Sequence, residues 1–243
     1  MKISKIAVLF VFFLGLSIGC DGATSIRNRK QEVVNTNLEV ESKVIMNLGL
    51  ALASTGQVAR IYFGGPCNME PFWGNLLLPM LKVHTLTKTG GGLESVQEMF
   101  RDDPDVVISQ DSVGVVRIWI GKLSTPVLDA RLPLLRLDNE AQYNPGGAIG
   151  AILRTSEAKA AMSRLKVQQA PTNFVGLEQQ PLEGLSHLPP SIKNTTIQKA
   201  LDSVARTFRG VVVYGECTSS LGEKLIDIYF VHFHDYKLNN GHL

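Results

Sequence analysis

Two histidines lie close together near the end of the chain, in the segment HFHDY. Side chains alternate along a β-strand, so His232 and His234 project from the same face, with Asp235 or His242 as further zinc ligands. A zinc site needs three or four ligands, and the spacing of the sequence identifies no further cluster. Segments near a chain terminus fray into solvent, so a solvated strand end is the better interpretation and no metal site is predicted.

Other residues that could do chemistry are three carboxylates and a serine. Asp102, Asp103 and Asp105 stand together in RDDPD, as a catalytic carboxylate pair would. The proline inside this segment indicates a turn between a helix and a strand instead. Ser112 lies in QDSVG, where Gln110 takes the place of the glycine that a nucleophile elbow requires. We therefore predict solvated charges and a turn serine, and no catalytic residue.

Glycines and aromatic residues are the remaining candidates for ligand binding. The glycines of TKTGGGLES precede a helix but lack the lysine and hydroxyl of a phosphate-binding loop. No cofactor site is predicted. The alternative hypothesis is a periplasmic ligand-binding protein or hydrolase, with an apolar pocket between modules lined by Trp73, Trp119, Tyr143 and Tyr229.

The helices that would position such residues include a repeated phrase. LESVQEMFR occupies residues 93–101 and LDSVARTFR occupies residues 201–209. In both copies Leu, Val and Phe fall at i, i+3 and i+7, which predicts one apolar face of a helix.

Each copy is followed by two β-rich runs around a turn, a pattern that predicts a hairpin. Residues 116–120 and 226–230 share the order apolar, charged, apolar, aromatic, apolar. A charge at the same place, Arg117 and Asp227, predicts one partly wet face in each hairpin. A third, fainter copy has Val44, Leu48 and Leu52 before the strand QVARIYFGG.

These patterns predict an α+β protein built from two small helix-plus-hairpin modules with mixed or antiparallel sheets. The predicted regions are a signal peptide, a tether, a first α+β region, a Pro/Gln/Gly-rich linker, a second helix-hairpin module and a tail. Their boundaries are 1–19, 20–40, 41–166, 167–190, 191–235 and 236–243.

The first residues predict export. Lys2 and Lys5 precede an apolar run that ends in LSIGC, which is typical of a signal peptide. The ending resembles the lipobox of bacterial lipoproteins and predicts lipidation of Cys20, but Ser17 and Gly19 also fit ordinary signal peptidase. The predicted location is the periplasm, with the membrane reached through lipidated Cys20.

The chain has three cysteines, so an exported protein would be left with one unpaired thiol. Lipidation of Cys20 would remove the odd one, and we predict a disulfide between Cys67 and Cys217; two separate buried thiols are the alternative. The chain carries 24 basic and 22 acidic residues. This balance lacks the basic footprint of a nucleic-acid-binding protein, so no such partner is predicted.

The segment TTIQKALDSVARTFRGVVVYGE resembles the short N-terminal (STN-like) domains of secretins and TonB-dependent receptors. The positions that carry the resemblance are Thr195, Thr196, Ala200, Leu201, Asp202, Ala205 and Val211 to Tyr214. It implies a periplasmic docking module that binds other proteins through strand edges and helix faces. The expected function is therefore a non-catalytic interaction module of the cell envelope, with an envelope protein, for example of a secretin or TonB-type system, as its partner.

Overall fold

The computed structural model describes residues 39–67, 76–86, 90–121, 123, 125–170 and 186–233. Helix α1 comprises residues 39–52 and strand β1 comprises Val58–Pro66. Val44, Leu48 and Leu52 form the predicted stripe on α1 and are fully buried. The turn between the two elements contains Gly56, whose φ of 71° is one that glycine adopts without strain.

Both copies of the repeated phrase form a helix followed by a hairpin. The first copy gives helix α2 (Leu93–Met99), strand β2 (Val106–Gln110) and strand β3 (Val115–Ile120). The second gives helix α6 (Ile197–Phe208), strand β7 (Gly210–Thr218) and strand β8 (Lys224–His232). The two predicted helix-hairpin units are therefore present.

In the described part of the chain, six further elements lie between the two units. They are β4 (Arg131–Arg136), α3 (Asn139–Tyr143), α4 (Pro145–Leu153), α5 (Ser156–Leu165), β5 (Val167–Gln169) and β6 (Ser191–Thr196). α4 and α5 are separate helices, because Thr155 caps the start of α5 by accepting from the Ala158 N–H.

Six of the described strands form one mixed sheet in the order β2-β3-β1-β7-β8-β5. β1 lies parallel to β3 on one side and to β7 on the other, whereas each hairpin is antiparallel within itself. β4 and β6 form a separate antiparallel pair. The α+β class with mixed sheets is thus confirmed.

The two faces of the large sheet bury different elements. Helices α4 and α6 and the β4–β6 pair cover one face, which we call face A; its core includes Tyr62, Val212 and Ile228. Helices α1 and α2 cover the other, face B, together with residues 76–86. This is a three-layer arrangement in which β1 and β7 are covered on both sides.

Several expectations differ from this arrangement. The two helix-hairpin units join one sheet, and residues 167–169, expected in the linker, form its edge strand β5. The expectation of one partly wet face was wrong for the second hairpin only, because the Arg117 side chain in the first hairpin is 19% exposed. Arg117 lies half-buried on face A and donates to the buried Asp202. Asp227 lies on face B, is 0% exposed and accepts from the buried Leu76 N–H.

Within the residues that the structure describes, no helix combines the length and apolarity needed to cross a membrane. The predicted signal peptide, the tether, Cys20 and the tail lie outside the described residues.

Candidate functional site

A buried ion pair lies on face A, between β1 and α6. Arg60 is 1% exposed, and its Nη1 donates to Asp202 Oδ1 at 2.7 Å and to the carbonyl oxygen of Gln198 at 2.7 Å. A charge this deep in the interior requires a partner, because an unpaired buried ion costs several kcal/mol. The pair fixes α6 over the centre of the sheet.

Arg117, which lies beside Arg60 on the neighbouring strand β3, extends the ion pair into a network that reaches toward the edge of the sheet. Arg117 Nη2 donates to Asp111 Oδ2 at 2.8 Å and to Asp202 Oδ2 at 3.3 Å. Two arginines and two aspartates thus balance each other. This network attaches strands β1 and β3 to helix α6, and its outer pair, Arg117 and Asp111, is partly exposed.

An aromatic row crosses face A beside these charges. The strand register aligns Val107 with Trp119, Trp119 with Tyr62, and Tyr62 with Tyr214. The rings of Tyr62 and Trp119 stack with centroids 3.9 Å apart, and the Arg60 guanidinium lies 4.9 Å from the Tyr62 centroid, a cation–π distance. Burial raises the pKa of the Tyr62 and Tyr214 phenols, so both stay protonated at neutral pH.

β2 is the outer strand of the sheet at this end, and half of its backbone groups point away from β3. The Gly121 N–H donates to the Asp105 oxygen at 2.8 Å, and the Asp111 N–H donates to the Val115 oxygen at 3.2 Å. Bonded and non-bonded positions alternate along an antiparallel strand, so Val107 and Ser109 also bond to β3. The N–H and C=O groups of Ile108 and Gln110 therefore face outward, where no described strand pairs with β2.

The side chains of β2 leave this edge accessible. Val107, at the end of the aromatic row, is 60% exposed, and Ser109 and Gln110 are also exposed. β2 contains no proline or lysine, the residues that natural proteins use to protect an open edge. The small sheet differs, since β4 carries Pro133 and β6 carries Lys193. We call Val106–Gln110, with its outward backbone groups, the β2 edge.

On face B, residues 76–86 form a strap that is attached by hydrogen bonds to side chains. Asp227 Oδ2 accepts from the Leu76 N–H at 2.9 Å, and Glu41 Oε2 accepts from the Leu78 N–H at 3.3 Å. Asn47 Oδ1 accepts from the Leu86 N–H at 3.1 Å. Burial raises the pKa of Asp227 to about 6, against the opposing effect of the Leu76 bond.

The carboxylates predicted as solvated turn residues attach the same strap. Asp103 Oδ2 accepts from the Lys82 N–H at 3.0 Å, and Asp102 Oδ2 lies 2.7 Å from His84 Nε2. Asp105 is exposed at the start of β2. Ser112 lies in the turn between β2 and β3. These residues form no catalytic pair.

The alternative hypothesis placed a pocket between modules, and the three of its aromatic residues that the structure describes lie apart. Trp119 lies on face A, Tyr229 lies on face B with its hydroxyl donating to Glu41, and Tyr143 contacts His187 beside α3. Trp73 lies outside the described residues. A shallow depression between α1 and the strap is lined by Glu39, Val40, Lys43, Leu81 and Val83. The pocket hypothesis therefore gains no support from these side chains.

No group of three metal-ligating side chains occurs in the described part of the chain. His232 packs edge-on against Phe230 at the end of β8, and His234 lies outside the described residues. Gly90, Gly91 and Gly92 all adopt positive φ, a conformation that favours glycine, and they lead directly into α2, of which Gly92 is the N-cap residue.

Cys67 and Cys217 form the predicted disulfide, with Cα atoms 5.0 Å apart. They meet because β1 and β7 are adjacent and parallel, with Gly65 opposite Cys217. The bond thus joins neighbouring strands that are far apart in sequence.

Sequence reasoning missed the roles of Arg60, Asp202 and the β2 edge. A signal was available for the first two, since each is a charge inside an apolar run, in VARIYF and KALDSVA. Such a position predicts either a solvated side or a buried pair, and only the packing of α6 on β1 decides between them.

No protein-family model, no curated protein and no solved structure matches the chain.

Proposed function

We propose that this protein is a docking protein of the cell envelope that binds an extended segment of another envelope protein along the β2 edge. Strand addition of this kind draws its affinity from main-chain hydrogen bonds and its specificity from alternate side chains. The single observation that carries the proposal is the outward direction of the Ile108 and Gln110 backbone groups.

The rigid attachment of β3, the strand beside the β2 edge, supports the proposal. β3 is held by the Arg117 bonds to Asp111 and Asp202 and by the Trp119–Tyr62 stack. An edge that is already ordered loses little conformational freedom on binding, so more of the contact energy appears as affinity.

The setting in the envelope rests on the amino-terminal sequence and on the cysteines. A basic start, an apolar run and the LSIGC ending favour export and lipidation of Cys20, and the Cys67–Cys217 bond is typical of an oxidising compartment. A tethered docking module without a catalytic centre is consistent with both features and with the STN-like resemblance of residues 190–234.

Photocrosslinking in cells that produce the full chain tests the proposal. A photoreactive amino acid at Val107 is expected to crosslink a defined envelope protein, whereas the same amino acid at Val113 is not. Val113 is a matched control because it is 57% exposed but lies in the turn beyond β2.

The decisive comparison uses two substitutions of one exposed residue. Gln110→Pro removes the outward N–H without breaking a bond to β3, and Gln110→Ala removes the same side chain and keeps the N–H. The crosslink from residue 107 should be lost in the first variant and kept in the second. An equal crosslink in both variants would exclude strand addition at the β2 edge.

A further inference from the structure

We infer that the β2 edge receives a strand from a different protein, with a large apolar or aromatic residue beside Val107 and basic residues at its ends, and not a second copy of this chain. This inference rests on the proposed function and specifies the partner of the same site. The inference follows from three features of the edge: the row of aromatic side chains that ends at Val107, the local excess of acidic residues, and the way in which two copies of β2 could pair with each other.

The aromatic row on face A determines what fits beside Val107. Tyr214, Tyr62, Trp119 and Val107 follow one another across four neighbouring strands, and the row stops at Val107 because β2 is the edge. Since Ile108 and Gln110 would bond to an added strand, the residue opposite Val107 is in a non-bonded pair, where side chains approach most closely. An aromatic or β-branched residue there would extend the row and cover Val107.

The charge around the edge determines what fits at the ends of the added strand. Residues 93–120 contain six acidic and two basic side chains, although the whole chain has a formal charge of +2. Asp105 is exposed where β2 begins, and Asp102 and Asp103 precede it. Asp111 follows the strand and is paired with Arg117. Lysine or arginine on the partner would complement this acidic start, and glutamate would be repelled.

If β2 paired antiparallel with β2 of a second copy of the chain, carboxylates would be brought together. This holds for both registers in which the apolar residues of the two strands face each other. When Ile108 faces its own copy, Asp105 lies opposite Asp111 of the other strand, twice by symmetry. When Val107 faces its own copy, Asp103 lies opposite Asp111, and Pro104, which has no N–H, takes a bonding position opposite Gln110. Like charges directly opposite destabilise a strand pair, so the edge disfavours its own copy.

Binding of synthetic peptides to the purified full chain tests the inference. The probe is a nine-residue peptide with two lysines at each end and a Val-Thr-Trp-Thr-Val centre. One matched peptide has glutamates in place of the lysines, and another has serine in place of the tryptophan. At low salt we expect the lysine peptide to bind about tenfold more tightly than the glutamate peptide, and about threefold more tightly than the serine peptide.

Two variants assign these preferences to the edge. Asp105→Asn should reduce the preference for lysine by about threefold, whereas Glu223→Gln, the same charge change at the exposed turn between β7 and β8, should leave it unchanged. Val107→Ser should abolish the preference for tryptophan, and Gln110→Pro should weaken all three peptides.

Each contrary outcome identifies which proposal fails. Equal binding of the lysine and glutamate peptides, still weakened by Gln110→Pro, overturns the inference about the partner and leaves the docking function standing. A second copy of the chain would be the partner if the protein formed concentration-dependent dimers that Gln110→Pro dissociates and Gln110→Ala leaves intact. That result would also overturn the inference. Binding of no peptide, together with the absence of a Val107 crosslink in cells, overturns both.

Discussion

The buried pair of Arg60 and Asp202 makes a strong prediction for single residues. Asp202→Ala leaves the guanidinium of Arg60 inside the protein without its carboxylate, and removal of one partner from a buried pair costs about 3–5 kcal/mol. We expect the free energy of unfolding, measured with urea, to fall by that amount.

A double substitution distinguishes the effect of an unpaired charge from the effect of lost side-chain volume. Arg60→Met with Asp202→Leu replaces both charges with apolar side chains, so no charge is left unpaired, and we expect much of the lost stability to return. A loss below about 1 kcal/mol in Asp202→Ala would show that water reaches Arg60 and that the pair is not buried as described.

Asp227 makes a prediction for the dependence of stability on pH. Its pKa is raised by burial from 3.8 to about 6, so the folded chain holds this proton more tightly than the unfolded chain does. The contribution is therefore favourable below pH 3.8 and is lost as the pH rises through 6, with a total change on the order of 3 kcal/mol.

Asp227→Asn isolates this contribution, because the amide oxygen can still accept from the Leu76 N–H but does not titrate. Urea unfolding from pH 4 to pH 7.5 should show that the wild type loses stability relative to the variant as the pH rises. A constant difference between the two proteins across this range would contradict a raised pKa at Asp227.

At the scale of residues, the sequence predicted the cysteine pair correctly but did not predict which charged side chains are buried. The cysteine parity led to the correct pair, Cys67 and Cys217, because parity depends only on composition and compartment. Arg117 and Asp227 were predicted to be partly wet, which holds for Arg117 but not for Asp227. The burial of Asp227 could not be predicted, because its partner, the Leu76 N–H, lies 151 residues away in the sequence.

At the scale of elements, the repeated phrase encodes the same local structure in two different environments. β2 and β3 run opposite to their counterparts β7 and β8, and α2 covers face B whereas α6 covers face A. A two-fold rotation about an axis in the sheet, at right angles to the strands, with a shift along that axis, relates the two units. The units share a design, although their helices contact different cores.

Matched alanine substitutions in the two helices test this difference. Leu201 is fully buried and Leu93 only partly, whereas Phe100 is buried and Phe208 only partly. We expect Leu201→Ala to cost about 2–5 kcal/mol and Phe100→Ala about 3–5 kcal/mol, each roughly twice as much as its counterpart in the other helix. Equal costs at the paired positions, measured by urea unfolding, would contradict the unequal burial of the paired residues.

The helices and hairpins were predictable because they depend on the local period of apolar residues. The order of the strands was not. β1, which follows the faintest copy of the pattern, lies between the two hairpins and pairs with both. No local feature of VARIYFGG indicates that position, since a strand buried on both faces reads only as an apolar run.

At the scale of the whole molecule, one sheet connects the two helix-hairpin units, and its strands differ in how well they are covered. β1 and β7 lie between neighbours in the sheet and beneath helices on both faces, whereas β2 pairs with β3 alone among the described strands. Local opening requires less free energy where fewer contacts are broken, so the stability of the backbone should fall from the centre of the sheet to β2.

Amide hydrogen exchange followed by NMR tests this gradient and the openness of the edge together. The amides of Ile61 and Val213, in β1 and β7, should exchange only through global unfolding. Within β2 the rates should alternate, with Val107 and Ser109 slow because they donate to β3, and Ile108 and Gln110 fast because their N–H groups face solvent. The lysine-ended peptide should slow Ile108 and Gln110 and change Val107 and Ser109 little. Equal protection of all four amides in the free chain would mean that another strand already pairs with β2, and the proposed docking edge would then be closed.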